Sequence, residues 1–262
     1  MPGIQIKVLD KAVQVIELLA KSNRGIRLKD VIEASGLNKT TALRILRALE
    51  SHNLAARDGA GTFVLGSRVL WWENCYRRNF ELLAVVRPTL ERLRDLTSET
   101  VTFSILLHQR TVVIDQVVSP NVTSTRFELG STAPLNAGAS GRVILAHLDS
   151  EKQKEFFRQA RLGRLTERTI TGRMQLDREV KRCRRTGFAI SRGERFSNTC
   201  SIAAPVFGPI REVLGVISVI GPSDRLTPNV CRSIAPILLK ETRLLTEQIS
   251  RANAGSEIRI PT

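Results

Sequence analysis

Apolar positions recur at helical spacing three times before residue 52, and then change to alternation. Val13, Ile16, Leu19 and Ala20 share one face of a helix expected over Leu9 to Lys21, which ends at Ser22-Asn23-Arg24-Gly25. Leu28, Val31 and Ile32 mark a second helix, Leu28 to Ser35, and Gly36 supplies the left-handed residue that a tight helix-to-helix turn needs. Asn38 suits the N-cap of a third helix, about Lys39 to His52, which buries Ala42, Ile45, Leu46 and Leu49. Leu54 to Arg57 and Thr62 to Leu65 then flank Asp58-Gly59-Ala60-Gly61 and read as a hairpin. Three helices and a hairpin have the layout of a winged helix-turn-helix, mostly α with a β-hairpin wing.

Ser67 to Ser98 is helical again, with an interruption expected near Arg87-Pro88, because proline disfavours helix at the preceding residue. Leu70, Trp71, Cys75, Leu82 and Leu83 form an apolar seam on this linker. Val101 to Leu107 and Thr111 to Val118 read as strands around His108-Gln109-Arg110, and Thr125 to Leu129 as a third. The loop Ala137-Gly138-Ala139-Ser140-Gly141 enters a helix at Arg142, and Ser150-Glu151-Lys152-Gln153 resembles a capping box. A further helix is expected over Gln175 to Arg185. Phe188 to Arg192, Ser201 to Phe207 and Val213 to Ile220 read as strands, and Thr227-Pro228 opens a closing helix to about Ser250. Interleaved strands and helices make this an α+β domain. The expected division is residues 1–66 for the winged helix, 67–98 for linker helices, 99–251 for the α+β domain and 252–262 for a loose tail.

A length of 262 residues accommodates these two domains. The net charge of +15 points to a polyanionic partner, yet its distribution does not locate one. Residues 1–66 carry a net +4, whereas 142–195 carry +8, which equally describes solvated helix faces. No apolar run approaches the ~18 residues of a membrane span, and the start lacks a basic segment followed by an apolar block. A cytoplasmic protein without membrane contact is therefore expected. Cys75, Cys183, Cys200 and Cys231 are scattered, as are His52, His108 and His147, so neither zinc ligation nor a disulfide framework is indicated and no cofactor is expected.

The third helix carries two chemistries. Opposite its apolar side lie Lys39, Thr40, Arg44 and Arg47, with Asn38 and Thr41 at its start and Arg57 on the hairpin. A helix-turn-helix offers this outer side and N-terminus to the major groove of double-stranded DNA. Amides of the first turn favour a phosphate, and arginine can fork onto guanine or clasp the backbone. Two other readings stay open. Cys200 with His108 or His147 would make a hydrolase-like nucleophile–base pair, with Ala139-Ser140-Gly141 as an oxyanion pocket, although nothing in the sequence brings a histidine near. Alternatively, the winged helix binds a protein.

Three stretches resemble the IclR family of bacterial regulators. They are Leu28 to Val31 with Gly36 to Leu46, then Pro134 to Gly141, then Cys200 to Val206 followed by Ser218 to Pro222 and Arg225-Leu226-Thr227. The similarity runs from about residue 7 to 250 with the motifs in order. The resemblance implies a GAF-like effector-binding domain joined by a linker helix to the winged helix. It also implies a homodimer or homotetramer, a near-palindromic operator, and control of a catabolic operon, as repressor or activator, by a small organic acid. In the family, amides at the start of the helix after this loop hold the effector carboxylate, here Ala139 and Ser140, while Cys200 and Ser218 match pocket-lining positions. Two departures stand out. Ile220 replaces a serine found in some carboxylate binders, and Ser191-Arg192-Gly193-Glu194 replaces an acidic stretch. Ile220 with Arg192 nearby points to an aromatic or otherwise bulky acid.

Overall fold

Val15 and Leu19, not Val13, carry the buried side of α1 (Lys7–Lys21). Apolar residues cover more than one stripe of this helix, so spacing alone leaves two choices, and packing partners decide between them. The computed structural model describes residues 6–78 and 81–253, and the chain divides into two compact units at Asn79 and Phe80. In the first, α1 packs with α2 (Leu28–Ser35), α3 (Lys39–Ser51) and a wing of β1 (Ala55–Arg57) and β2 (Phe63–Leu65), around Val31, Ala42, Leu46 and Phe63. Gly36 ends α2 at φ +68°, the left-handed conformation expected of it. Asn38 Oδ1 accepts the Thr41 amide at 2.8 Å and starts α3. Asn38→Ala should therefore lower stability by about 1 kcal/mol, read as an earlier urea midpoint with unchanged slope.

The linker is divided between the units. Its α4 (Arg68–Arg78) falls in the first, with Leu70, Trp71 and Trp72 exposed. Its α5 (Glu81–Thr97) falls in the second, where Leu82 and Leu83 join the core, so the expected seam is not continuous. The break expected at Arg87-Pro88 does not occur, because α5 continues through Pro88. Leu82, Leu83, Val86, Leu90 and Leu93 are buried on one side, while Pro88 and Ala84 lie on the exposed side. Water can thus serve the carbonyl that proline leaves without a donor.

The second unit is an antiparallel six-stranded sheet in the order β5-β4-β3-β8-β7-β6. Its strands are β3 (Thr100–Leu107), β4 (Arg110–Val117), β5 (Thr132–Pro134), β6 (Ala189–Arg192), β7 (Thr199–Phe207) and β8 (Val213–Pro222). The third strand expected at Thr125 to Leu129 is absent; β5 lies further on. Phe127 instead gives its amide to Gln116 Oε1 at 3.0 Å, and the Gln116 side-chain nitrogen donates to the Phe127 carbonyl, so a side chain replaces the ladder.

One sheet face is covered by α5 and α9 (Pro228–Asn253). The other carries α6 (Ala139–His147) and α8 (Arg173–Thr186) over part of its area. Between these two helices comes α7 (Ser150–Gln159), whose N-cap is Asp149, one residue before the expected box, accepting the Lys152 amide at 2.8 Å. The tail expected to be loose from Ala254 lies outside the described residues. No helix among the described residues is long and apolar enough to cross a membrane.

Candidate nucleic-acid interface and ligand cavity

On α3 the two chemistries separate by helical phase. Ala42, Ile45, Leu46 and Leu49 are buried, while Lys39, Thr40, Arg44 and Arg47 are exposed and Thr41 is half-buried. Thr40, Arg44 and Arg47 follow i, i+4, i+7 spacing and so line one face. Lys39, Arg44 and Arg47 have no ion-pair partner among the described residues. Arg57 differs. Its guanidinium lies 3.2 Å from Glu50 and 4.5 Å from the centre of the Phe63 ring, so the wing cation is engaged within the unit.

In the second unit, the part of the sheet face left open by α6 and α8 forms a cavity. Its walls include Thr102 and Ser104 of β3, Thr111 and Val113 of β4, Ser191 of β6, Ser201 of β7, and Ser218 and Ile220 of β8. Strand alternation explains the set. Thr102 pairs with Ser218, Ser201 with Ile220 and Ser191 with Ser201, and directly paired residues share a face. Ala139 and Ser140, the first two residues of α6, close the cavity with Arg195 and Phe127. The amides of Ala139 and Ser140 donate to no protein group among the described residues, which leaves them able to receive an anion.

Two expected pocket residues are elsewhere. Arg192 is exposed and paired with Cys200, so both project from the opposite side of the sheet to Ser191 and Ser201. Cys200 is buried against α9, its Sγ 3.6 Å from Cys231 Sγ. The arginine at the cavity is Arg195, three residues beyond Arg192, where the chain has left β6. The hydrolase reading also loses its geometry, since no histidine among the described residues partners Cys200. Cys183 is buried, and burial pushes its thiol up to about 12.

The cavity rim is held by an ion pair. Arg142 of α6 is 1% exposed and pairs with Glu194, whose Oε2 also accepts the Gly138 amide at 3.1 Å. The second terminal nitrogen of Arg142 donates to the Ile190 carbonyl, and its Nε has no partner among the described residues. Thr169 Oγ1 donates to the Glu194 carbonyl at 2.7 Å, and Asn136 donates to the carbonyls of Gly163 and Ile170 at 2.9 and 2.8 Å. These bonds fix the segment after β6 against the start of α6. Sequence spacing gave no sign of Glu194 or Arg195 because neither lies in a regular element. Thr102-x-Ser104 and Thr199-x-Ser201 carried a signal: polar residues at period two within otherwise apolar strands.

A winged helix-turn-helix with an unpaired cationic face, in a chain whose α+β domain encloses a polar cavity, defines a DNA-binding transcriptional regulator with an effector domain. Residues 8–59 match the IclR helix-turn-helix domain, and residues 75–251 match the C-terminal domain of bacterial transcriptional regulator IclR. The chain belongs to the IclR family. It is 24% identical over 245 residues to the transcriptional repressor IclR of Escherichia coli (strain K12), covering 92% of this chain and 89% of the relative. It is 33% identical over 221 residues to the HTH-type transcriptional regulator Rv1719 of Mycobacterium tuberculosis, covering 84% of each. Among solved structures, a transcriptional regulator of Rhodococcus sp. RHA1 superposes with a TM-score of 0.81 at 27% identity, covering 95% of this chain and 100% of that one. An IclR homologue of Microbacterium hydrocarbonoxydans, solved with 4-hydroxybenzoate, gives 0.79 at 22%, covering 94% and 100%. The relatives are named as regulators and repressors, and this chain is a regulator rather than an enzyme.

Proposed function

We propose that this regulator binds a near-palindromic operator as a homodimer or homotetramer and governs a catabolic operon in response to a small organic acid. The observation that carries the DNA reading is the face of α3, where Lys39, Arg44 and Arg47 are exposed and without acidic partners. Asn38, Lys39, Thr40 and Thr41 present the first turn to the groove, Arg44 and Arg47 reach bases or phosphates, and Arg57 meets the flanking backbone once released from Glu50. The exposed Leu70, Trp71 and Trp72 of α4 support self-association. The effector carboxylate rests on the free amides of Ala139 and Ser140, beside Ser191, Ser218 and Ile220. Occupancy then shifts the pairing of the DNA-binding heads.

The test is fluorescence anisotropy on duplexes from the regulator's own genomic neighbourhood, at several salt concentrations and with candidate acids. Affinity for the operator should fall steeply with salt as counterions are released; salt-independent affinity would favour a protein partner for the winged helix. Ala139→Pro removes one anion-binding amide at a position where proline is well tolerated. It should weaken acid binding about tenfold, measured by calorimetry, without changing operator affinity in the absence of acid.

A further inference from the structure

Four hydroxyls at the cavity lack partners. Thr102, Ser104, Ser191 and Ser201 are 3%, 2%, 4% and 7% exposed, and none has a hydrogen bond among the described residues. Their neighbours Thr111 and Ser218 do, each donating to a carbonyl at 3.3 Å. Facing the cavity rather than the packed interior, these hydroxyls are free to bond whatever occupies it.

Arg195 is anomalous in the same way. Arg87, Arg92, Arg142 and Arg225 end on the carboxylates of Asp115, Glu241, Glu194 and Glu99. Among the described residues Arg195 has only the Ser131 hydroxyl, at 3.3 Å, and the rings of Phe127 and Phe196, whose centres lie 4.9 and 5.4 Å away. No carboxylate among the described residues compensates it. Burial and the nearby Arg110 lower its pKa to about 10, the direction expected of a cation awaiting an anion.

We propose that Arg195 is a specificity-determining anchor of this cavity, and that the ligand is a short acyclic acid with two carboxylates and an oxygen-bearing chain. The inference rests on the effector reading above and narrows it. One carboxylate offers about four lone-pair sites. Those are outnumbered by the Ala139 and Ser140 amides, four hydroxyls and the guanidinium together. The positive charge of Arg195, added to the partial charge of the helix N-terminus, gives a second carboxylate a partner of its own. An aromatic acid fits less well. The ring of Phe127 on the cavity wall already carries the Arg195 guanidinium over one face, so that face cannot stack on an aromatic ligand.

The test is calorimetric titration of the full chain with L-malate, lactate (one carboxylate fewer) and 4-hydroxybenzoate. Malate should bind about tenfold or more tightly than either. Arg195→Gln should bring malate to the lactate level and leave lactate unchanged, while Arg195→Lys retains part of the preference. The thermal midpoints of both variants should fall only slightly, since contacts with Ser131, Phe127 and Phe196 are weakened but no ion pair among the described residues is lost. Equal binding of malate and lactate, or tighter binding of 4-hydroxybenzoate, overturns the role of Arg195, and Ala139→Pro then still reports whether the effector site is correct. Failure of every acid to bind overturns both.

Discussion

Glu194→Ala is expected to destabilise the effector domain by about 3–5 kcal/mol, the usual consequence of stranding one member of a buried pair. Arg142 would keep the Ile190 carbonyl but lose its only counter-charge among the described residues, at 1% exposure and with Nε unpartnered among them. The Gly138 amide would lose its acceptor too. The measurement is urea unfolding followed by far-ultraviolet circular dichroism, in which the transition of the α+β domain should move to lower urea. Replacing both partners, Arg142→Leu with Glu194→Leu, should recover a substantial part, because no bare charge remains. A Glu194→Ala protein within about 1 kcal/mol of the parent, inside the ordinary range of surface substitutions, would mean that the Thr169 hydroxyl on the Glu194 carbonyl, with the Thr166 hydroxyl on the Gly193 carbonyl, holds this segment unaided.

The second large effect is on DNA. Arg44→Ala should weaken operator binding by roughly 10- to 100-fold if the side chain reads a base, with relaxed preference at one position of each half-site. If it contacts phosphate instead, affinity should fall about equally on all duplexes and the salt dependence should drop by about one unit per head. Either pattern should leave acid binding unchanged, because Arg44 belongs to the first unit and the cavity to the second. Parallel loss of both activities would contradict the division of labour. Folding is not at issue, since Arg44 is exposed and has no ion pair among the described residues.

The first unit was legible where a helix boundary has a local cause, at the end of α2 and the start of α3. Gly36 stops α2 because the missing Cβ permits positive φ, Asn38 starts α3 through its side-chain oxygen, and the buried face of α3 follows from spacing. The face of α1 was misjudged because its apolar residues wrap too far around the helix for spacing to choose a side. Proline misled at α5, where a rule about local conformation met a helix fixed by tertiary burial of its other side. In the cavity, Ala139, Ser140, Ser191, Ser218 and Ile220 fell where the sequence placed them, on its wall. Arg192 and Cys200 did not, and the error is one of parity: neighbours in a strand face opposite ways, so proximity in sequence to a cavity residue predicts the wrong side. Arg195 lies beyond the end of β6, where periodicity has nothing to say.

That parity also constrains how such a sensor can diversify. Because Ser201 and Cys200 belong to different compartments of the domain, exchanging single residues at alternate positions of β7 can retune ligand preference while the layer beneath α9 stays intact. Inserting or deleting one residue in the same strand would instead turn thiol and aliphatic groups toward the ligand and drive hydroxyls into the hydrocarbon interior. New specificities in this lineage should therefore arise by replacement along these strands, with length changes confined to the connections between them.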